Sequence, residues 1–161
     1  MASTSSISEP STTTARRTLL FRVGNAVYGC DLADVREIIP HRKATRLPGA
    51  PASVQGLINL RGTIVTVIDL GARLLPGSTP VTDGSIILTG AGARVAGIAV
   101  EEVLDVRLLG ADSSAALAVA DEGAVAGEVA RDGVVRGLGQ VDGIAVILID
   151  IHTLVKQVLL S

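Results

Sequence analysis

The sequence reads as a mainly β protein made of two similar small units around a shared apolar core, and three observations carry that reading. The interior has to be aliphatic, because the 161 residues hold one Phe, one Tyr and no Trp but 20 Val and 13 Ile. Those β-branched side chains lose χ1 freedom in helices and fit pleated surfaces. Short apolar runs are punctuated by turn residues at intervals of roughly ten, the spacing of sandwiches and small barrels, and 18 Gly supply the turns. Finally, the chain repeats itself. Its length suits one domain, or two small ones with a common core, burying roughly 70% of the unfolded surface.

The elements follow in order. Residues 1–15 are Ser/Thr/Pro-rich with no apolar stretch, so they cannot repay their ordering entropy and contain no secretory signal. The tail is set at 1–17 and the folded part at 18–161. TLLFRV (18–23) and AVYGCDL (26–32) flank Gly24-Asn25, two residues that tolerate the positive φ of a hairpin turn. VREII (35–39) alternates and is stopped by Pro40, which removes a backbone donor. After a loop with Pro48, Gly49 and Pro51, VQGLINLRGTIVTVIDL (54–70) gives two strands around a turn at 59–62. The second is expected to be central, since Ile64, Val65, Val67 and Ile68 are too apolar to face solvent on both sides. SIILTG (85–90), RVAGIAV (94–100), VLDVRLL (103–109) and GIAVILIDI (143–151) are further strands. In DIHTLVKQVLL (150–160), Ile151, Leu154, Val155, Val158 and Leu159 recur at helical spacing behind Asp150, a good N-cap.

Residues 55–70 align without gaps on 136–151 at an offset of 81, and the identities are Gly56/Gly137, Leu57/Leu138, Gly62/Gly143, Val65/Val146, Ile68/Ile149 and Asp69/Asp150. Residues 27–38 align on 95–106 at an offset of 68, through Val27/Val95, Gly29/Gly97 and Val35/Val103. The second copy therefore has a loop enlarged by thirteen residues, within about 107–135. Repeat cores fall near 27–70 and 95–151. Each copy alone buries little, so the two are expected to pack on one another.

Several function classes are disfavoured. A net charge of −2 gives no basic field for phosphate, and two aromatics make no stacking platform, so nucleic acid is not an expected partner. No apolar run is long enough to span or insert into a bilayer. One cysteine, Cys30, excludes an internal disulfide, fits a reducing cytoplasm, and with His41 and His152 makes no zinc site. Neither histidine lies near a Ser, Cys or Asp in a nucleophilic arrangement. Asp69 and Asp150 could form a carboxylate dyad, but their equivalence in the repeat favours helix capping. Gly90-Ala91-Gly92 lacks the context of a phosphate loop. No cofactor, metal or catalytic residue is expected.

The copies disagree in charge at one place that folding does not explain. Arg61 in the tight N-L-R-G turn stands where the second copy has Asp142, while Glu37 stands opposite the like-charged Asp105. A guanidinium there could pair with Glu37, which shares a strand face with Val35. A solvated turn arginine is the simpler alternative on spacing alone.

V-x-E-I at Val35–Ile38, R-x-P-G-A-P at Arg46–Pro51, G-L-I-N-L-R-G-T-I-V-x-V-I-D-L at Gly56–Leu70, V-A-G-I-A-V-E-E-V-L-D-V at Val95–Val106 and the closing R-G-L-G to I-D-I resemble the CheW family of chemotaxis coupling proteins, from about Thr18 to Leu160. The resemblance implies two SH3-like five-stranded β-barrels sharing an apolar core, with a short C-terminal helix. It implies a non-enzymatic cytoplasmic scaffold joining a methyl-accepting chemoreceptor to a CheA-type histidine kinase. It also implies that Glu37 and Arg61 bind partners, with Val35, Ile38, Asn59 and Gly62 beside them and Val100 and Val103 on an apolar strand lining a groove between the barrels. Glu101 stands where Asp is commoner, and Thr66 where Pro is. The alternatives are the same adaptor in a non-flagellar pathway (pilus, gliding or output control), or a small ligand-binding β-barrel.

Overall fold

A computed structural model describes residues 16–75, 77–109 and 133–160. The tail over 1–15 and most of the enlarged loop lie outside these residues. Among the described residues ten strands and two helices follow one another: β1 (Arg16–Val23), β2 (Ala26–Asp31), a 3₁₀ turn (Leu32–Asp34), β3 (Val35–Pro40), β4 (Val54–Leu60), β5 (Thr63–Asp69), α1 (Leu70–Leu74), β6 (Ser85–Ala91), β7 (Arg94–Val100), β8 (Glu102–Leu109), β9 (Val135–Val141), β10 (Ile144–Ile149) and α2 (Ile151–Leu160). The fold is the expected one, mainly β with two five-stranded sheets and a short C-terminal helix. One boundary differs from expectation. Arg16 and Arg17 belong to β1, because their backbones pair with Leu109 and Leu108 of β8 and Arg16 bonds Asp31 at 3.1 Å, partners too far along the chain for composition to reveal.

The sheets are ordered β8-β1-β2-β10-β9 and β3-β6-β7-β5-β4. Renumbering β6–β10 as a second copy of β1–β5 turns both into the same order, 3-1-2-5-4. The repeat is therefore real in three dimensions, but neither sheet is one copy. Each takes strands 1 and 2 from one half of the chain and strands 3, 4 and 5 from the other, which corrects the picture of two contiguous units packed side by side. The exchange falls at two crossovers. Three residues separate β2 from β3 and one, Glu101, separates β7 from β8; because β2 already lies between β1 and β10 and β7 between β6 and β5, both edges of the strand just left are taken and the chain steps across to the other sheet.

Irregularities repeat as well. Arg36 is the extra residue where β3 pairs with β6, and Leu104 where β8 pairs with β1; Gln55 is extra on β4 and Arg136 on β9. Both pairs obey the offsets of 68 and 81. Such bulges bend a strand and increase its twist, as a small closed sheet needs. Closure of the second sheet is completed when the chain leaving β3 runs beside β4, where Thr45 and Leu57 exchange two backbone hydrogen bonds of 2.8 and 2.9 Å.

One apolar cluster unites the sheets and both helices. Leu19, Phe21 and Val23 of β1 share it with Val65, Val67 and Ile68 of β5, Ile86 of β6, Ile98 of β7, Leu70 of α1 and Leu154 of α2. The two rings of the chain, Phe21 and Tyr28, face one another across a strand pair and stack with centroids 5.9 Å apart. A smaller cluster, Leu20, Leu109, Val141, Val146 and Leu148, fills the opposite face of the first sheet. Two-sided burial accounts for the unbroken apolar runs. β5 is interior as expected, flanked by β7 and β4, although Ile64 at its start is 56% exposed.

Candidate protein-docking face

The chemistry of the N-L-R-G turn begins with its backbone. β4 and β5 are joined by Arg61 and Gly62, with φ of +51° and +87°, the pair of positive angles that matches the twist of a hairpin. Gly adopts this freely, but for Arg the left-handed region costs about 1 kcal/mol. The Asn59 side-chain oxygen offsets part of the cost by accepting the Gly62 N–H at 2.9 Å. Across the sheet opening, Arg61 Nη2 donates to Glu37 Oε1 on β3 at 2.6 Å. The spacing argument for this pair is thus met. With side chains 67% and 42% exposed, the pair is worth at most about 1 kcal/mol. A strained arginine in a weak, exposed pair is poorly explained by stability.

The second copy carries the same device with its polarity reversed. Asp142 and Gly143 have φ of +53° and +81°, and Arg107 of β8 donates to Asp142 Oδ2 at 2.7 Å and to Asp105 Oδ2 at 3.0 Å. Arg107 and the Val106 N–H hold the Asp105 carboxyl below its usual range, and Asp142 then Asp105 push the Arg107 guanidinium up.

The remaining expected residues fall into two sets. Val35 is half-buried against the core, Ile38 is 39% exposed beside Glu37, and Asn59 and Gly62 are exposed on the turn. These share one end of the second sheet with Arg61. Val100 does not: it is fully buried at the end of β7, opposite Ser85, so it serves the core and lines no exposed groove. Val103 packs partly against that same core. Between Glu37 and Arg61 lies a notch of about 260 Å³ floored by Leu60, Val65 and Leu88, below the ordinary range for small-molecule sites.

The crossover at Glu101 carried no sequence signal beyond an unexpected Glu. Its carboxylate accepts from Arg22 Nη1 and from the Gly24 N–H, both at 2.9 Å, while its own N–H donates to the Arg22 carbonyl. The longer side chain thereby ties the β7–β8 crossover to the β1–β2 turn. Asp69 and Asp150 act as caps and do not approach one another as a dyad: Asp69 Oδ1 accepts the Ala72 N–H at 3.1 Å, and Asp150 Oδ1 those of His152 and Thr153 at 3.1 and 3.2 Å. Among the described residues no cluster of His, Cys, Asp and Glu suits a metal ion. None of their helices is long and apolar enough to cross a membrane.

Paired strand exchange, a shared aliphatic core and a charged, strained turn over a shallow notch define a β scaffold that presents a surface. Comparison with known proteins gives that class its family. Residues 17–159 match the CheW-like domain, and the chain belongs to this family of chemotaxis scaffold proteins. It is 33% identical over 146 residues to the chemotaxis protein CheW of Klebsiella aerogenes, covering 90% of this chain and 84% of that one. It is 31% identical over 88 residues, 54% of this chain and 55% of the relative, to protein FrzA of Myxococcus xanthus. The crystal structure of the scaffolding protein TtCheW from Thermoanaerobacter tengcongensis superposes with a TM-score of 0.72 at 28% identity, covering 86% of this chain and 91% of that one.

Proposed function

We propose that this chain is a non-enzymatic coupling scaffold, acting in the cytoplasm, that joins the tip of a methyl-accepting chemoreceptor to a CheA-type histidine kinase through the face built on Val35, Glu37, Ile38, Asn59, Arg61 and Gly62. The observation that carries the proposal is Arg61, held at positive φ for a side chain whose one bonded partner among the described residues is the partly exposed Glu37 carboxylate. An exposed rim of fixed charge beside aliphatic side chains sets register and on-rate at a protein interface. Catalysis has no support among the described residues, where the buried carboxylate, Asp69, is consumed by a cap.

The test is Arg61→Glu. Being exposed, the substitution should leave the melting temperature within about 3 °C of the parent, while co-sedimentation with receptor fragments and kinase is lost. Retained binding by a folded variant removes Arg61 from the site. The likeness to FrzA, a relative without the CheW name, supports a second reading in which the same scaffold serves a non-flagellar chemosensory pathway. Deletion followed by separate assays of swimming and of surface motility decides between the two. A ligand-binding barrel would instead show small-molecule stabilisation with no protein partner.

A further inference from the structure

The partner-facing end of the second sheet is basic in a chain that is acidic overall. Between residues 35 and 62 stand Arg36, Arg42, Lys43, Arg46 and Arg61 against a single acid, Glu37, while the whole chain carries −2. All five cations are exposed. The fold gathers them. The loop after β3 is pinned beside β4 by the Thr45–Leu57 bonds, and Arg42 Nη1 donates to the Asn59 carbonyl at 2.9 Å, two residues before Arg61. Arg36, at the bulge of β3, lines the same notch as Glu37 and Arg61.

Three arginines elsewhere are matched to acids: Arg16 to Asp31, Arg22 to Glu101 and Glu102, Arg107 to Asp105 and Asp142. Here Arg36, Lys43 and Arg46 have no carboxylate within ion-pair distance among the described residues, and Arg42 reaches only a backbone carbonyl. Three exposed aliphatic side chains stand on the same elements: Ile38 follows Glu37 on β3, Leu47 follows Arg46 in the loop, and Ile64 of β5 is in backbone register with Asn59.

Resting on the adaptor reading above, we propose that this face recognises an acidic protein surface: Asp and Glu side chains to meet Arg42, Lys43, Arg46 and Arg36, aliphatic groups to cover Ile38, Leu47 and Ile64, and a cation opposite Glu37. A layer of anionic lipid headgroups or a nucleic-acid backbone offers phosphate anions without carboxylate-spaced aliphatic groups, and would meet the Glu37 carboxylate with like charge. Base stacking has no platform, since Phe21 and Tyr28 are both buried. A single-sign patch of this kind raises association rates and makes binding salt-sensitive over a Debye length of about 8 Å at physiological ionic strength.

The test is titration calorimetry of the full chain against the cognate receptor-tip fragment and the cognate kinase regulatory domain, at about 50 and 300 mM NaCl, for the parent and for K43E/R46E. Both substituted side chains are exposed and unpaired, so thermal melts should coincide. The expected result is binding of at least one fragment that weakens about tenfold or more with the added salt, and a K43E/R46E variant about tenfold or more weaker at low salt with a flatter salt dependence. If R61E abolishes binding but K43E/R46E matches the parent at both salts, the adaptor reading stands and the acidic-partner inference is overturned. Parent protein that binds neither fragment overturns both. Tighter binding to phosphatidylglycerol vesicles or to duplex DNA than to either fragment also overturns the inference.

Discussion

Arg61 and Asp142 occupy the same φ region on equivalent turns, yet Asp tolerates that region far better than Arg. If the arginine is retained for its guanidinium alone, replacing it by a residue at home in the turn should trade binding for stability. Arg61→Asn is expected to raise stability by roughly 0.5 kcal/mol, the relief of left-handed strain less a weak exposed ion pair. Binding of the receptor fragment should fall. Urea titration beside a pull-down reads both, and a destabilised Asn variant would show that the Arg61–Glu37 pair matters more to the fold than its exposure allows. Cys30 makes the opposite case, a reactive group rendered inert. Burial, then the nearby Asp34 and Asp31, push its thiol from 9.0 up to about 12, against a smaller pull from Arg136. The folded protein should therefore resist a disulfide reagent at pH 8 and react in denaturant. Because the folded value is the higher one, the contribution of Cys30 to stability is complete below pH 9 and is lost as pH rises toward about 12.

The local elements hang on two residues whose roles differ in legibility. Asp69 is 1% exposed, and its carboxylate accepts from the Ala72 and Val81 N–H groups and from the Gln55 amide at 3.0–3.1 Å. Asp69→Ala should cost roughly 2–4 kcal/mol in denaturant unfolding, because three donors lose their acceptor. Its equivalence with Asp150 made the cap readable from sequence; its bonds to Gln55 and Val81 were not, being long-range and dependent on the bulge at Gln55. Gly56 lies at φ +143°, where an added Cβ would stand 2.1 Å from the Thr45 carbonyl oxygen. Gly56→Ala should therefore cost roughly 2–4 kcal/mol and loosen the basic loop, seen as faster amide exchange at Thr45 and Leu57. A wild-type melting curve for that variant would mean the loop closure is dispensable. Strand positions and caps were legible because they follow from spacing and side-chain chemistry over a few residues. Bulges leave the alternation of β3 intact (Val35 and Glu37 half-buried, Ile39 buried, Arg36 and Ile38 exposed), so nothing in the residues marks them. The basic face was equally hidden, since Arg42 and Lys43 acquire a neighbour in Arg61 only when the loop folds back on β4.

The exchange of strands between the two sheets was beyond the repeat's reach for a physical reason: self-similarity at a fixed offset says that two copies share a topology, but is silent on whether a strand pairs with its own copy or the other. Linker length does not decide it either, since the three residues after β2 cross to the other sheet while the two between β1 and β2 return to the same one. The consequence for stability is specific. A chain cut between α1 and β6 would leave an N-terminal piece whose β1–β2 hairpin lacks β8 and β10, and whose β3 and β5 lack β6 and β7. Neither half could then bury the large apolar cluster, which draws on Leu19 and Phe21 from one and Ile86, Ile98 and Leu154 from the other. Two contiguous barrels would predict independently folding halves. The interleaved arrangement predicts that residues 1–82 and 83–161 are each unfolded alone by far-ultraviolet circular dichroism. Mixed, they should recover native spectra in a concentration-dependent manner, with a melting temperature that rises with concentration. A half that melts cooperatively on its own would show that the exchange of strands is not what holds this molecule together.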